Sequence, residues 1–136
     1  MTIQKVDMLS SYIIRLKNGE DILKGLERKI ESANIKNGII VSGIGSVTSY
    51  HIHVVKTKEL PPGNIYFKED EPFDIVNVQG YIMNGRIHAH ISFADAESGK
   101  QFGGHLEKGC NVLTFCIITI IETEALGDLD DYKITK

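Results

Sequence analysis

Three histidines lie close together in the segment GRIHAHISFADAESGKQFGGHL, which covers residues 85–106. One residue separates His88 from His90, and His105 follows a pair of glycines. Residues two apart in a strand share a face and lie about 7 Å apart, at a rise of about 3.3 Å per residue. Three neutral imidazoles are a common ligand set for zinc and leave its fourth position open. These residue types predict a metal site if His105 reaches the other two.

The elements around the histidines decide whether the rings meet. Asn84-Gly85 predicts a two-residue hairpin turn, because a type I′ turn needs positive φ at both central positions. In that register the opposed residues are Met83 and Arg86, Tyr81 and His88, and Gln79 and His90. The alternation of apolar and polar residues puts both histidines on the polar face. The predicted core side chains on the other face are Ile82, Val78, Val76, Ile87, Ala89, Ile91 and Phe93.

A second turn, at residues 96–99, brings the chain back toward the histidines. A regular hairpin here pairs Asp95 with Lys100, Phe93 with Phe102, and His90 with His105. A bulge at Gly103-Gly104 would shift the register by one residue and turn His105 to the opposite face. The regular register predicts a metal site at His88, His90 and His105. The shifted one leaves an ordinary half-polar sheet face.

A second H-x-H pair, His51 and His53, lies on another predicted strand. No third ligand type is close to it in the sequence. We therefore interpret these two histidines as a structural or interface face. They are the reserve metal ligands if the site is built differently.

Length and composition are those of one globular domain covering residues 1–136, with a core at about 8–123 and a polar, acidic tail at 124–136. The chain has 136 residues, of which 42% are hydrophobic and 24% charged. No apolar run reaches the roughly 18 residues of a membrane span, and the N-terminus lacks the pattern of a secretory signal. We expect a cytoplasmic protein without a membrane partner, whose tail is mobile or docks late.

The charge pattern weighs against a dominant DNA-binding face. The formal net charge is −3, and the fifteen lysines and arginines are scattered, with no basic block longer than Arg28-Lys29. Non-specific DNA binding depends on clustered cations that neutralise phosphates. DNA remains a partner only through a local patch formed in an oligomer.

Cys110 and Cys116 stand six residues apart on one predicted strand. That spacing is about 20 Å, whereas a disulfide requires Cα atoms within about 7 Å. Both cysteines are predicted to be reduced and packed. Cys110 stays open as a thiol ligand, although its spacing does not single it out.

Periodicity predicts one helix and about seven short strands, hence an α+β domain whose helix packs on a largely antiparallel sheet. The helix is expected at residues 20–33, and a bend or close backbone contact at Gly43-Ile44-Gly45. Predicted strands besides those around the histidines cover residues 10–16, 38–44, 47–55, 64–68, 73–83 and 111–122.

The order of these motifs resembles the plants-and-prokaryotes-conserved (PPC) domain over roughly residues 8–123. The matching residues are Ile87-His88-Ala89-His90, Asp95, Gly99, Gly103-Gly104-His105-Leu106, the run 112–122 and Ser42-Gly43-Ile44-Gly45-Ser46-Val47. The resemblance implies a sandwich that assembles as a homotrimer. It also implies that His88, His90 and His105 bind a divalent metal ion, commonly zinc. The family carries a DNA-binding description, but its plant members use AT-hooks, and this chain has no basic R-G-R-P arm.

Two functional hypotheses follow. The first is a trimeric binding or regulatory module with a structural or sensory metal. The second is a small zinc enzyme that acts on a small-molecule ligand, because a three-histidine zinc lowers the pKa of a bound water toward about 7. Such an enzyme would use a nearby carboxylate as base. Glu107, expected opposite His88, is the first candidate, followed by Asp95 and Glu97; each is otherwise an exposed turn residue.

Overall fold

The computed structural model describes residues 2–133 of the chain. Its elements in chain order are β1 (Met8–Lys17), α1 (Ile22–Ser32), β2 (Gly38–Val55), β3 (Asn64–Glu69), β4 (Phe73–Met83), β5 (Arg86–Ala94), β6 (Gln101–Leu106) and β7 (Asn111–Thr123). All strands pair antiparallel in one sheet. The predicted α+β class, with seven strands and one helix among the described residues, is confirmed.

Helix α1 begins one residue after Asp21, whose side chain accepts a hydrogen bond from the backbone N–H of Lys24 at 3.0 Å. This contact satisfies one of the unpaired N–H groups of the first turn and sets the start of the helix. Apolar residues at helical spacing bury one side of α1 against the sheet: Ile22, Leu26 and Ile30. Among the described residues, no helix combines the length and apolar character needed to cross a membrane.

Four strands close into a circuit of pairings. The sheet order is β1-β7-β2-β4-β5-β6, with β3 paired to β2, and β6 also pairs back to β2. Strands β2, β4, β5 and β6 therefore each have two neighbours within the same ring. Inside this ring the aromatic side chains pack with neighbouring ring centroids 5.2–6.2 Å apart; they are Tyr50, Phe73, Phe93 and Phe102.

A single 18-residue strand, β2, replaces the two strands predicted at residues 38–44 and 47–55. Its pairing with β7 shifts register at three places, so β2 bends without ending. At Gly45 a Cβ atom would lie 1.9 Å from the carbonyl oxygen of Phe115, so only glycine fits. The expected bend and close backbone contact are confirmed, but the predicted break between two strands is wrong.

One predicted core residue, Val76, faces out instead. Val76 is 38% exposed, whereas Ile75 beside it is 4% exposed. The register of β4 against β5 shifts between Ile75 and Asn77, and such a bulge reverses which residues face the core. The other predicted core residues of this hairpin face inward, and Ile75 takes the position that strict alternation gave to Val76.

The two cysteines are free and buried, as the sequence predicts. Cys110 lies one residue before β7 rather than within it, and its thiol donates to the carbonyl oxygen of His51 at 3.4 Å. Burial raises the pKa of each thiol to about 12. Among the described residues, neither cysteine belongs to a group that could hold a metal ion.

Candidate metal centre

The first histidine pair is positioned by the hairpin between β4 and β5. Asn84 and Gly85 have φ values of 52° and 78°, which matches the positive φ required at both turn positions. The resulting register opposes Met83 with Arg86, Tyr81 with His88, and Gln79 with His90, as predicted.

The third histidine is positioned by the hairpin between β5 and β6. His105 pairs with His90, and Phe102 pairs with Phe93, in a register that runs unbroken to the turn. The backbone N–H of Asp95 donates to the carbonyl oxygen of Lys100 at 3.0 Å and closes the hairpin. The regular register is therefore confirmed, and β6 pairs through Gly103-Gly104 without a bulge.

The glycine pair of β6 lets this strand fit between two others. A Cβ atom at Gly103 would lie 2.3 Å from the carbonyl oxygen of Ile91 on β5. A Cβ atom at Gly104 would lie 2.6 Å from the carbonyl oxygen of His53 on β2. Both distances are far inside van der Waals contact. The glycines therefore permit the close approach that brings His105 between β5 and β2.

The three predicted ligands converge. Ring nitrogens of His88, His90 and His105 lie within 4.8 Å of one another. Their ring centroids are 5.7 Å apart for His88 and His90, 4.8 Å for His88 and His105, and 5.7 Å for His90 and His105. His90 is exposed, and the other two are half-buried. The arrangement leaves one side of the cluster open to solvent.

A fourth histidine, His53, joins the cluster from β2. His53 pairs with His105 across the β2–β6 ladder, and the two rings stack with centroids 4.4 Å apart. His53, His105 and Glu107 form a second group whose potential ligand atoms lie within 4.8 Å of one another. His51 lies outside both groups. Its Nδ1 is hydrogen-bonded to the carbonyl oxygen of Lys108 at 2.8 Å.

The sequence interpretation treated His51 and His53 alike, and the structure separates them. His53 reaches the site because β6 pairs with β2 as well as with β5. The available signal was a second H-x-H pair with the same internal spacing as His88 and His90. It could not be used without knowing that strands about fifty residues apart become neighbours.

Glu107 lies at the cluster, but not where the sequence placed it. It was expected opposite His88, by extending the β5–β6 register. Strand β6 instead ends at Leu106, and the backbone N–H of Glu107 donates to the carbonyl oxygen of His51 on β2 at 3.1 Å. Its Oε1 accepts a hydrogen bond of 2.5 Å from Nδ1 of His53. Glu107 therefore serves the β2 side of the site.

The two other candidate carboxylates belong to the 96–99 turn and to neither potential metal group. Asp95 accepts a hydrogen bond from the Ser98 hydroxyl at 2.8 Å, and this bond lowers the pKa of its carboxyl group. Glu97 is exposed. Asp95 orders the hairpin turn.

Burial favours the neutral form of two of the imidazoles. Burial lowers the pKa of His105 to about 4, assisted by repulsion from His53 and His88. Desolvation by the neighbouring rings also lowers the pKa of His90, although part of its side chain is exposed to solvent, and repulsion from His88 and His53 adds to the shift. Neutral imidazole is the form that ligates metal, so this donor set fits a divalent cation near pH 7.

The tail after β7 docks on the cluster. Oδ2 of Asp130 accepts a hydrogen bond from Nδ1 of His88 at 2.7 Å. Arg86 donates to both oxygens of Asp130, at 2.6 and 2.8 Å, and these bonds hold the pKa of that carboxyl well below its usual range. Within the described residues, the predicted tail contacts the rest of the chain through Leu126 and Asp130. That it is mobile or docks late stays a prediction. Residues 134–136 of the predicted tail lie outside the described residues.

Two clefts open onto the histidines. One, of about 750 Å³, is lined by His53, His88, His90 and His105 and reaches Pro61, Pro62 and Tyr132. The other, of about 760 Å³, shares Gln79, His88 and His90 and includes Leu129 and Asp130. Both volumes are in the range of small-molecule sites. A ligand of that size can therefore reach the cluster.

The fold and site define a class: antiparallel-sheet proteins with a solvent-accessible cluster of histidines suited to a divalent cation. The family model of the Plants and Prokaryotes Conserved (PCC) domain matches residues 3–124. The chain belongs to this family, as the motif order predicts.

Solved structures share this fold. A metal-containing protein from Archaeoglobus fulgidus is 21% identical, with a TM-score of 0.79 over 92% of this chain and 87% of that one. A plant- and prokaryote-conserved protein from Pyrococcus horikoshii is 22% identical, with a TM-score of 0.78 over 93% and 87%. A protein from Ralstonia eutropha JMP134, named as a putative DNA-binding protein, is 22% identical, with a TM-score of 0.71 over 84% and 78%.

Curated relatives are much longer than this chain. The bifunctional protein GlmU of Synechococcus sp. strain JA-3-3Ab is 27% identical over 115 residues, which are 85% of this chain and 17% of that protein. The chain therefore spans less than a fifth of the length of the curated relatives it matches.

Proposed function

We propose that this protein binds a divalent metal ion, with zinc as the first choice, through His88, His90 and His105. The observation that carries the proposal is the convergence of ring nitrogens from two paired strands within 4.8 Å. Three imidazoles are a ligand set that zinc commonly uses. The lowered pKa values of His90 and His105 support it, because these rings need not lose a proton to bind.

Metal analysis of the purified protein tests this proposal. Wild type is compared with His88→Ala, His105→Ala and the control His51→Ala after dialysis against zinc. We expect about one bound ion in wild type and the control, and a large loss in the two site variants, since each ligand contributes directly to affinity. Zinc content unchanged by both site substitutions would refute the proposal.

We further propose that the protein is a homotrimer in the cytoplasm. Strands β1, β2 and β4 expose several large apolar side chains: Ile13, Val41, Ile44, Val76 and Tyr81. Large apolar side chains left exposed in a group mark a protein contact. The free thiols of Cys110 and Cys116 support a reducing compartment.

Light scattering coupled to gel filtration tests the assembly. Wild type is expected at three times the mass of the chain. Val41→Glu and Ile44→Glu would place charges on the apolar face and are expected to give monomers, whereas the control Glu97→Gln at the 96–99 turn is expected to stay trimeric. A monomeric wild type at micromolar concentration would exclude the trimer.

A second candidate function, a small metal-dependent enzyme, is favoured by the cleft that reaches four histidines and by the His53–Glu107 pair. When bound, a divalent ion would supply Lewis-acid polarisation of a substrate oxygen. Glu107 accepts a hydrogen bond from Nδ1 of His53, which keeps its hydrogen, so the lone pair of the neutral ring lies on Nε2 and can accept a proton from a small molecule. Glu107 thus positions His53, and His53 is the candidate base.

The enzyme hypothesis is tested with a panel of activated esters and phosphoesters at pH 7. Turnover by wild type that falls at least about 100-fold in His53→Ala, with zinc content retained, would support His53 as the base. Equal rates in wild type and His105→Ala would show that any turnover comes from elsewhere.

DNA binding is a third proposal, and it rests on the name of the Ralstonia neighbour. The net charge of −3 weighs against DNA binding, because a negatively charged protein repels the phosphate backbone. A DNA-binding protein of this family would lose affinity steeply between 50 and 200 mM salt, since phosphate contacts release counterions. A gel-shift titration with A·T-rich duplex at low salt tests this, and no shift at micromolar protein would exclude it.

A further inference from the structure

The C-terminal segment returns to the histidine cluster after leaving β7. Leu126 is buried, and its backbone N–H donates to Oδ1 of Asn37 at 3.2 Å. This contact anchors the start of the segment beside β2. Residues 127–133 then continue to β5, where Asp130 reaches two side chains.

Asp130 is held firmly at that point. Both of its carboxylate oxygens accept from the guanidinium of Arg86, the bidentate arrangement that gives the strongest geometry for this pair. Its side chain is 20% exposed, against 60% for Asp128, which contacts Arg86 at 3.3 Å. Asp130 is therefore the half-buried contact of the segment, and Asp128 is an exposed one.

The contact between Asp130 and His88 fixes the tautomer of the ring. A carboxylate can only accept, so Nδ1 of His88 carries the hydrogen of the 2.7 Å bond. In the neutral ring the lone pair then lies on Nε2. A carboxylate that holds the far nitrogen of a ligating histidine orients the ring and makes it a better ligand.

We propose that residues 127–133 form a strap and that Asp130 is a positioning residue that sets the metal affinity of His88. The inference rests on the proposed metal function and adds to it a segment beyond residue 124, where the family match ends. The strap also shapes access to the site, because Tyr132 lines one cleft and Leu129 and Asp130 line the other.

Metal affinity and strap order are coupled in this arrangement. If the docked strap strengthens zinc binding, bound zinc must stabilise the docked strap by the same factor. The coupling gives a readout other than metal content. Zinc is expected to slow amide hydrogen exchange in residues 127–133 of wild type, and not in a variant that lacks the Asp130 contact.

The experiment measures zinc affinity by competition with a chromogenic chelator in wild type, Asp130→Asn and the matched control Asp128→Asn. Losing a partner of a ligating histidine typically costs 10–100-fold in affinity, so we expect that loss in Asp130→Asn. Asp128→Asn should stay within roughly threefold, as an exposed ion pair contributes little. Arg86→Gln, which frees Asp130 without touching His88, should be intermediate.

Each outcome separates the two proposals. The strap proposal would be overturned if Asp130→Asn bound zinc as tightly as wild type. It would also be overturned if zinc left amide hydrogen exchange in residues 127–133 of wild type unchanged. Either result would leave the three-histidine site intact. Wild type that binds no zinc would overturn the metal site and the strap together. Urea unfolding of each variant checks its fold, and Arg86→Gln provides the comparison if Asp130→Asn is unstable.

Discussion

The rings of His53 and His105 stack with centroids 4.4 Å apart, although 51 residues separate them in the chain and they belong to β2 and β6. On its other side His53 donates to Glu107 at 2.5 Å. The side chains of His53 and Glu107 are 18% and 27% exposed, so water only partly replaces this bond when it is broken. The stacked ring and its carboxylate form one supported unit at the edge of the histidine cluster.

This arrangement predicts that Glu107→Ala destabilises the protein. A half-buried N–H of His53 would lose its acceptor, which typically costs about 1–3 kcal/mol of unfolding free energy. Urea unfolding in the presence of chelator measures the loss. The matched control, Glu97→Ala at the exposed turn, should change stability by less than about 0.5 kcal/mol. Equal stability of the two variants would contradict the prediction.

The metal-free protein should lose stability as pH falls from 6.5 to 4. The folded state depresses the pKa of His105 to about 4 and also lowers that of His90. Protons therefore bind these histidines more tightly in the unfolded chain. The stability that the neutral rings contribute is fully present above pH 6.5 and is lost as the pH falls to about 4, the pKa of His105 in the folded state. Asp130, whose pKa is also depressed, loses its contribution only below 3.8.

Urea unfolding at pH 7.5, 5.5 and 4.5, with chelator present, measures this dependence. His105→Asn should flatten the curve between pH 6.5 and 4, because it removes the group whose pKa is depressed to about 4. An unfolding free energy that increases on acidification would reverse the sign and refute the account.

Gly104→Ala is expected to destabilise the protein by about 2 kcal/mol or more. The new Cβ atom would lie 2.6 Å from the carbonyl oxygen of His53 and force β6 away from β2. Zinc affinity should fall as well, because His105 moves with the strand. Gly99→Ala is the control: its Cβ meets no atom within 4 Å, so it bears only the strain of a φ of 68°. A smaller loss in Gly104→Ala than in the control would be inconsistent with the packing.

Both cysteines should resist alkylation in the folded protein. Burial raises their thiol pKa values to about 12, and the thiolate is the reactive form. Iodoacetamide at pH 8, followed by mass spectrometry, should label neither residue until denaturant is added and both afterwards. Rapid labelling of native Cys110 would show that its surroundings open readily, and Cys116 serves as the internal comparison.

Local sequence signals were enough to predict the two hairpins that carry the histidine cluster. Asn84-Gly85 specifies a turn type, and the alternation in β5 specifies a face, so the positions of His88 and His90 follow from neighbouring residues. His105 required only one more short turn. These contacts are close in sequence, and their registers depend on turn chemistry.

Other parts of the site depend on contacts that no local pattern encodes. His53 reaches His105 through a short pairing of β2 with β6, strands that are far apart in the sequence, and the strap reaches His88 from beyond β7. Val76 was misplaced because β4 shifts register against β5 between Ile75 and Asn77, and strict alternation does not reveal such a bulge. Length and polarity suggested a loose tail, and Asp130 docks because its partners come from β5.

The ring of strand pairings has a consequence for how this site can vary. Around a closed ring, the offsets between β2, β4, β5 and β6 must add up, so one strand cannot slide unless another slides to match. A single insertion within one of these paired strands would have to be compensated elsewhere or else break the ring. Relatives that keep this topology should therefore change the chemistry at the histidine positions by substitution. Their insertions should fall outside the paired strands of the ring.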